Sequence, residues 1–286
     1  MTWEQFVPLA QKLTLRDASG RVTRYGFICD WYLDFMQYIE QAGGHFYSAD
    51  GTRCVVDSPE AIAGITFLRD LVYKYQVAPG FAEELAMAAQ GGWGVGPQTL
   101  FGGKRAAMAS GGRYWLCTLR ERSGLHLGVS EAPHGPVRVF RGYGKATLVN
   151  AASPHRKQAI DFILYEASKP YNDAVNATAD GVGPVMRFAD TEEFLHDPRH
   201  PEETYNAVWR EMQHRAIPDE SSPFVSGATM QRITEGQLDL IKANMKTPAE
   251  GLRAIAQQVN AEIQESVRKN PELRRLYEER SARSAP

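Results

Sequence analysis

The sequence predicts an α/β fold spread over two modest domains. Its 286 residues, 43% of them hydrophobic, are more than most single domains contain. Short strand-like runs alternate with helical patterns over the first 167 residues, as expected for helices layered on a sheet. From residue 201 onward the pattern is almost entirely helical. The predicted sheet therefore comes from the N-terminal part of the chain.

Charge and hydropathy exclude several classes of partner. The 32 basic and 34 acidic residues are scattered and give a net charge of -2, so no strong field attracts nucleic acid or anionic lipid. No apolar run reaches the roughly 18 residues of a membrane span. The first residues also lack the basic-then-apolar order of a signal peptide. We expect no nucleic-acid partner, no membrane span and no export signal in this sequence.

Capping signals and helical spacing predict the first elements. Thr2 followed three residues later by Gln5 forms a capping box, and apolar residues then recur at helical spacing to Leu13. A strand is predicted over residues 25–28 and a helix over 31–41. The next helix opens at Asp57-Ser58-Pro59-Glu60 and is predicted to carry on one face Ile62, Ile65, Leu68, Val72 and Tyr75.

The middle of the chain is richer in glycine and in short apolar runs. Residues 90–103 contain too much glycine for a helix interior and predict a loop. Strands are predicted over residues 106–109, 125–130 and 145–149. A helix predicted over 154–167 presents on one face Ala159, Ile160, Ile163 and Leu164.

The last third predicts helices over residues 202–214, 229–245 and 247–267. A capping box formed by Thr247 and Glu250 opens the third of these helices. Its buried stripe is Leu252, Ile255, Ala256, Val259 and Ile263. The charged residues after Tyr277 predict a frayed or disordered tail.

No motif for catalysis stands out. The sequence has no GxSxG elbow, no GxxxxGK[ST] phosphate loop and no HExxH. The acid pairs Asp30 with Asp34 and Glu83 with Glu84 are predicted to lie on solvated helix faces. A paired acid centre for glycoside cleavage stays open as an alternative, because two carboxylates are all that such a centre requires.

No pattern predicts a metal or a cofactor. His196 and His200 lie four residues apart, but Pro198 disfavours the helix that would bring both to one face. The cysteines are odd in number and widely spaced, which predicts small buried thiols, with one oxidised pair left open. They are Cys29, Cys54 and Cys117.

Aromatic residues near glycines and loops are the most distinctive feature. Trp31, Trp93, Tyr114, Trp115 and Tyr143 lie outside the apolar helical stripes that hold core aromatics. A pyranose ring has an apolar face that stacks on an aromatic ring, and hydroxyls that need fixed polar partners. This pattern predicts a carbohydrate site, with loop packing as the alternative for each ring.

The order of several short motifs resembles the family 1 extracellular solute-binding proteins, the group containing maltose-binding protein. The motifs are Thr2-Trp3-Glu4-Gln5-Phe6, Tyr25-Gly26-Phe27, Gly43-Gly44, Asp57-Ser58-Pro59-Glu60-Ala61, Val77-Ala78-Pro79, Phe101-Gly102-Gly103-Lys104 with Ala107-Met108, and Gly142-Tyr143-Gly144. The resemblance implies a two-lobed, periplasmic-binding-protein-like α/β fold with a hinge. Sugar would bind in the interlobe cleft and pass to an ABC permease, in the periplasm or at the cell surface.

The resemblance also implies a division of the chain and an incomplete first lobe. Residues 1–140 would begin the second lobe, 141–200 would return to the first, and 201–286 would mainly add second-lobe helices. The signal sequence and opening part of lobe one that family members carry are not found before Met1. A misassigned start, a broken gene and a fragment all stay open. We expect residues 145–149 and the helix over 154–167 to lack packing partners.

Matching positions suggest ligand-binding residues. Trp31 would be a stacking platform, and Gly92 with Trp93 would form a loop against the ligand. Backbone and guanidinium contacts would come from Gly112, Arg113 and Tyr114, and the hinge side would hold Tyr143 and Gly144. A surface salt bridge is the alternative for Arg113. Asp180-Gly181 and Ser222-Pro223-Phe224 are weaker candidates. A sugar hydrolase or lyase, and an inactive chain, stay open as alternative functions.

Overall fold

The computed structural model describes residues 1–88, 96–144 and 146–283, which form two compact units. Unit 1 comprises Met1–Ser110, Pro133–Val139 and Asp219–Pro286. Unit 2 comprises Gly111–Ala132 and Phe140–Pro218. Unit 2 thus contains more than the predicted return segment. The assignment of these units to lobes of the family stays a prediction.

Helices and strands are numbered in chain order. Unit 1 contains α1 (Trp3–Leu13), β1 (Leu15–Arg16), β2 (Val22–Ile28), α2 (Trp31–Gln41), α3 (Pro59–Tyr73), α4 (Phe81–Ala88), α5 (Pro97–Gly102), β3 (Ala106–Ala109), α11 (Gly227–Lys242), α12 (Pro248–Lys269) and α13 (Pro271–Arg283). Unit 2 contains α6 (Leu116–Leu119), α7 (Arg156–Glu166), α8 (Lys169–Thr178), α9 (Glu192–Leu195), α10 (Asn206–Arg215) and two short 3-10 helices, Arg113–Trp115 and Met186–Phe188. No helix within the described ranges is long and apolar enough to span a membrane.

The sheet of unit 1 has the order β1-β2-β3. β2 pairs antiparallel with β1 and parallel with β3, so that Tyr25 lies opposite Ala106 and Phe27 opposite Met108. The predicted strand over 25–28 is confirmed. It begins three residues earlier because Val22 and Arg24 pair with β1.

One large core holds unit 1 together. Both predicted capping boxes are present, at Thr2 with Gln5 and at Thr247 with Glu250. α2 and α3 pack closely because Gly64 lies against the backbone of Tyr38, where an added Cβ would be only 2.3 Å from the carbonyl oxygen. The largest side chains in this core are Phe6, Trp31, Ile39, Phe46, Ile65, Leu68, Leu71, Phe224 and Leu238.

Unit 2 has a much smaller apolar core. Its buried cluster consists of Leu116, Ala179 and Tyr205, with Leu127, Val129 and Trp209 packed against it. The two ends of the long segment 140–218 meet where the Ile217 amide donates to the Phe140 carbonyl at 2.9 Å. The predicted exposure of the helix now seen as α7 is confirmed, because it has no buried residue.

Several local predictions are wrong. Residues 97–102 form α5 instead of a loop, because Pro97 suits a first helical turn and Leu100 is buried against Ile28. Residues 125–130 form no strand, since Leu127 and Val129 pack on the unit 2 cluster. Residues 146–149 form no strand either.

Residues 278–283 are helical, so the predicted fraying of the charged stretch after Tyr277 is wrong for the part that the structure describes. α13 continues to Arg283, and Leu273, Leu276 and Tyr277 pack on the core. Arg280 donates to the Asp50 carbonyl at 3.0 Å. Apolar residues before the charged stretch therefore hold the whole helix against unit 1.

Candidate functional site

In unit 1, the start of α2 positions two aromatic rings. Asp30 caps the helix, its Oδ1 accepting from the amides of Tyr32 at 2.9 Å and Leu33 at 3.3 Å. This cap fixes Trp31 and Tyr32 as the first residues of the helix. Trp31 is only 2% exposed. Its predicted use as a stacking platform stays a prediction.

A buried lysine lies over both rings. The Lys242 ammonium is 5.7 Å from the Trp31 ring centre and 5.6 Å from that of Tyr32, and it pairs with the Glu84 carboxylate. The Tyr32 hydroxyl donates to Asp239. Burial raises the pKa of Glu84, while Lys242 opposes this shift. The result is an aromatic and ionic cluster with fixed donors and acceptors.

Asp34 lies one turn further along α2 and is buried. Burial raises the pKa of this carboxyl to about 7, although a hydrogen bond with Ser110 acts in the opposite direction. The prediction that Asp34 and Glu84 lie on solvated helix faces is wrong for both residues. Asp34 shares the buried side of α2 with Tyr38, and Glu84 is drawn toward Lys242.

Sequence reasoning missed Lys242. Four residues earlier on α11 lies Leu238, and Ile241 directly precedes Lys242; both of these neighbours are fully buried. The i, i+4 spacing from Leu238 therefore placed a lysine on the buried stripe. A charged residue on the buried face of a helix indicates that an oppositely charged residue lies nearby. Here that residue is Glu84, which is far from Lys242 in sequence and is brought close only by the fold.

A depression of about 400 Å3 lies in unit 1 and falls within the usual range of small-ligand sites. It is lined by Tyr73, Gly80, Phe81, Ala82, Glu83 and Ala243. The Tyr73 hydroxyl donates to the Lys242 carbonyl, and the Gly80 amide donates to Glu83 at 2.9 Å. The depression therefore adjoins the Lys242 cluster, although Trp31 does not line it.

In unit 2, Gly112 and Tyr114 belong to a tight turn. Gly112 caps the 3-10 helix Arg113–Trp115, and a Cβ on Gly112 would lie 2.7 Å from the Tyr114 ring. The same clash, also at 2.7 Å, would occur between a Cβ on Gly111 and the Trp115 ring. The glycine pair is thus needed because both rings fold back over it.

Arg113 is buried within unit 2. Its guanidinium donates to the carbonyls of Gly181 and Asn176, and lies 4.7 Å from the Phe194 ring centre. Burial, with the charge of Arg120 nearby, lowers the pKa of Arg113 to about 10. The alternative of a surface salt bridge is wrong, because the residue is only 4% exposed. A direct ligand contact stays a prediction.

Tyr143 and Gly144 belong neither to the Trp31 and Lys242 cluster nor to the contacts of Arg113. Tyr143 is 54% exposed, and Gly144 is also exposed. Gly92 and Trp93 lie outside the described residues. Of the weaker candidates, Gly181 contacts Arg113, and the Ser222 hydroxyl donates to the Gly51 carbonyl at 2.6 Å. The contribution of all these residues to binding stays a prediction.

Three side chains in unit 2 lie close enough to share a cation: His200, Glu202 and Glu203. Both carboxylate oxygens of Glu203, however, accept from the Arg120 guanidinium, at 2.5 and 2.7 Å. A fixed positive charge already occupies the position. Cys29, Cys54 and Cys117 are free, the first two buried and the third partly exposed.

Comparisons with known proteins give the fold. No family model matches the chain, and no curated protein matches it. Among solved structures, the Listeria monocytogenes ABC substrate-binding protein Lmo0181 in complex with cycloalternan matches with a TM-score of 0.74 and 18% identity. The chain has the fold of ABC-transporter substrate-binding proteins. This confirms the predicted periplasmic-binding-protein-like α/β class.

Two further solved structures support the same fold. Mycobacterium tuberculosis UgpB in complex with glycerophosphocholine matches with a TM-score of 0.71 and 13% identity. Maltose-bound T. maritima MalE3 matches with a TM-score of 0.68 and 20% identity. The matches cover 90 to 93% of this chain. They cover only 63 to 64% of the matched chains. This chain therefore spans less than two thirds of their length.

Proposed function

We propose that this chain is a substrate-binding component of an ABC importer and takes a sugar or a similarly hydroxylated solute. The supporting observation is the shared fold over nine tenths of the chain. Of the three matched structures, one contains cycloalternan, one maltose and one glycerophosphocholine. These ligands share a dense set of hydroxyl or phosphate oxygens. The proposal includes delivery to a permease, in the periplasm or at the cell surface.

Unit 1 supports this proposal through its chemistry. Tyr73, Phe81 and Glu83 line a depression of about 400 Å3. The Tyr73 hydroxyl also donates to the carbonyl of Lys242, whose ammonium pairs with Glu84. Fixed polar groups beside aromatic rings suit the hydroxyl rim and apolar face of a sugar. Trp93, Tyr143 and the Gly112 turn are proposed as further contacts.

Binding is tested by calorimetry and tryptophan fluorescence on the 286-residue protein, with cycloalternan, maltose and glycerophosphocholine as probes. We expect saturable binding of at least one probe, with a change in emission from Trp31, Trp93 or Trp115. Trp93→Ala should weaken that binding by about 1 to 3 kcal/mol, because a stacked ring buries its own face and the ligand's. Trp209→Phe, on the unit 2 cluster, is the matched control and should leave the affinity unchanged.

The absence of turnover distinguishes a binding protein from a hydrolase or lyase acting on the same sugars. The protein is incubated with cycloalternan and maltose, and chromatography follows the products. We expect the starting sugars to be recovered intact. Cleaved products that disappear in an Asp34→Asn variant would replace the binding proposal with an enzymatic one. If no probe binds and none is cleaved, the proposed function of the 286-residue chain is rejected.

A further inference from the structure

The dipeptide Asp-Gly occurs twice in the chain, at Asp50-Gly51 in unit 1 and at Asp180-Gly181 in unit 2. Both dipeptides lie in turns, and the glycine has a positive φ in each, +70° in the first and +94° in the second. In both turns the glycine amide donates to a backbone carbonyl, at 2.7 Å in the first and 2.8 Å in the second. The two glycines are therefore held alike, and the difference between the turns lies in the aspartates.

The Asp50 carboxylate is held in place. Its Oδ1 accepts from the Thr52 amide at 3.0 Å, from the Thr52 hydroxyl at 2.8 Å and from the Ser48 hydroxyl at 2.6 Å. The main chain is held as well, because the Asp50 carbonyl accepts from Arg280 at 3.0 Å. A movement of this carboxylate toward the amide that follows it would break several hydrogen bonds.

The Asp180 carboxylate has no such restraint. The residue is exposed, and no group in the described ranges of the chain donates a hydrogen bond to its side chain. Its two neighbours, in contrast, are anchored. Ala179 is fully buried in the unit 2 cluster, and the Gly181 carbonyl accepts from the buried Arg113 guanidinium. A mobile carboxylate thus lies between two fixed points of the main chain.

This arrangement favours a reaction of the chain with itself. The Gly181 nitrogen attacks the side-chain carboxyl carbon of Asp180, which forms a C–N bond and releases one carboxyl oxygen as water. Glycine has no side chain to obstruct this attack. Water then opens the five-membered succinimide ring at either carbonyl. Opening at the former main-chain carbonyl leaves isoaspartate, in which the chain runs through the side chain of Asp180, with unchanged composition and with water as the only co-reactant.

We propose that Asp180 is a site of spontaneous isomerisation to isoaspartate and that the reaction detaches Gly181 from Arg113. The new linkage adds one methylene to the main chain between Ala179 and Gly181. Because Ala179 is held in a close-packed cluster, the displacement falls on Gly181. The buried Arg113 guanidinium then loses an acceptor, which weakens unit 2. The proposal does not depend on the proposed transport function.

Peptide mapping of the aged protein tests the site. The 286-residue protein is stored in neutral buffer at body temperature for several weeks and digested with trypsin, which places the two dipeptides in peptides 25–53 and 158–187. Chromatography with electron-transfer fragmentation then locates isoaspartate. It should form at Asp180 roughly 5- to 30-fold faster than at Asp50, the factor that one or two hydrogen bonds supply. Equal rates at the two sites, or no isoaspartate at Asp180, would overturn the proposal.

Two variants test the cause of the difference. Asp180→Glu keeps the charge but would require a six-membered ring, so this position should stay unmodified. The double variant Ser48→Ala with Thr52→Val removes two of the donors to Asp50 and should raise the rate at that residue by a similar factor. An Asp50 that reacts no faster in the double variant would contradict the role given to the hydrogen bonds.

Hydrogen exchange tests the consequence for Arg113. In aged wild-type protein, the amides of the 3-10 helix Arg113–Trp115 and of α6 should lose protection, while those of α3 keep it. Aged Asp180→Glu protein is the control and should match fresh protein in all three segments. Isoaspartate at Asp180 without loss of protection near Arg113 would show that the linkage does not disturb this contact.

Discussion

The two units are stabilised by different forces. Unit 1 buries a continuous set of apolar side chains from helices at both ends of the chain. Unit 2 has only a small apolar cluster and depends on arginines that bind carboxylates and backbone carbonyls. Apolar burial tolerates imperfect geometry, whereas a buried ion pair stabilises only while every partner is in place. Unit 2 is therefore the more easily broken of the two.

The largest expected effect is in unit 2. Arg120 binds Glu203, whose side chain is 1% exposed, and lies 4.0 Å from Asp197. Arg120→Met leaves a buried carboxylate uncompensated and should destabilise unit 2 by about 3 to 5 kcal/mol. Amide hydrogen exchange measures this loss of stability: in Arg120→Met, we expect the amides of residues 140–218 to lose protection while those of α3 stay protected.

Arg199→Met is the control for this comparison. Arg199 binds Asp197 as well, but its own side chain is 59% exposed. The expected loss is less than about 1 kcal/mol, because solvent screens the pair. Equal losses for the two variants would contradict the idea that buried ion pairs hold unit 2.

The matching test in unit 1 removes apolar volume. Leu68 is fully buried on α3, and Leu68→Ala should cost about 2 to 5 kcal/mol through lost burial and a residual cavity. The control is Leu33→Ala, because Leu33 is 43% exposed and the same truncation at the surface should cost at most about 0.5 kcal/mol. Urea unfolding measures the stability of both variants, and hydrogen exchange over α3 assigns the loss to unit 1. A small loss for Leu68→Ala would show that the core is not the main source of stability.

A smaller, pH-dependent effect is expected at Asp34. Its pKa is about 7 in the folded protein and roughly 3.9 in an unfolded chain, so the folded state binds more protons between these values. Wild-type stability from this group is therefore greatest at low pH and falls as the pH rises through that window. The asparagine of Asp34→Asn does not titrate, so the free energy of unfolding of this variant relative to the wild type should rise by about 2.5 kcal/mol between pH 5 and pH 8.

Unfolding of the wild-type protein and the Asp34→Asn variant at both pH values measures this difference. Asp57→Asn changes an exposed aspartate of unit 1 and is the control. Its difference from the wild type should stay constant with pH. A constant difference for Asp34→Asn as well would mean that the Asp34 carboxyl is ionised throughout.

The smallest effect concerns the capping box of α12. The Thr247 hydroxyl oxygen accepts from the Glu250 amide at 3.3 Å, and the Thr247 amide donates to the Glu250 carboxylate at 2.8 Å. Thr247→Ala should lower the stability of unit 1 by about 1 kcal/mol, and Thr247→Ser should restore most of it. Thermal unfolding distinguishes the two. Equal stability for all three proteins would show that α12 is fixed by packing alone.

Local signals in the sequence were reliable where they agreed with packing. The helix over 31–41 and both capping boxes could be predicted because cap, periodicity and burial all favour the same structure. The strand predicted over 125–130 failed because Leu127 and Val129 find apolar partners in a helical unit instead of a sheet. Short apolar runs do not specify which partner will cover them.

The candidate site was predictable only in part. Trp31 was proposed as a ligand contact because it lies outside the apolar helical stripes, but its burial under Lys242 follows from contacts between residues far apart in sequence. Arg113 was proposed from the family resemblance, and its carbonyl partners Gly181 and Asn176 lie more than sixty residues away. The use of either residue in binding stays a prediction. Long-range pairing of this kind leaves no local pattern, so residue identity could be predicted while its partners could not.

The arrangement of unit 1 has a consequence for synthesis of the protein. Its core joins α1, α2 and α3 to α11 and α12, and Asn260 bonds both the amide and the carbonyl of Cys54, at 2.8 and 2.9 Å. Synthesis therefore adds roughly 150 residues between the end of α3 at Tyr73 and the start of α11 at Gly227 before this core can close. Until then, the faces of α2 and α3 that α11 and α12 cover in the folded unit are exposed to solvent or to chaperones. Such late, long-range closure predicts slow folding, with the nascent N-terminal helices as the aggregation-prone species.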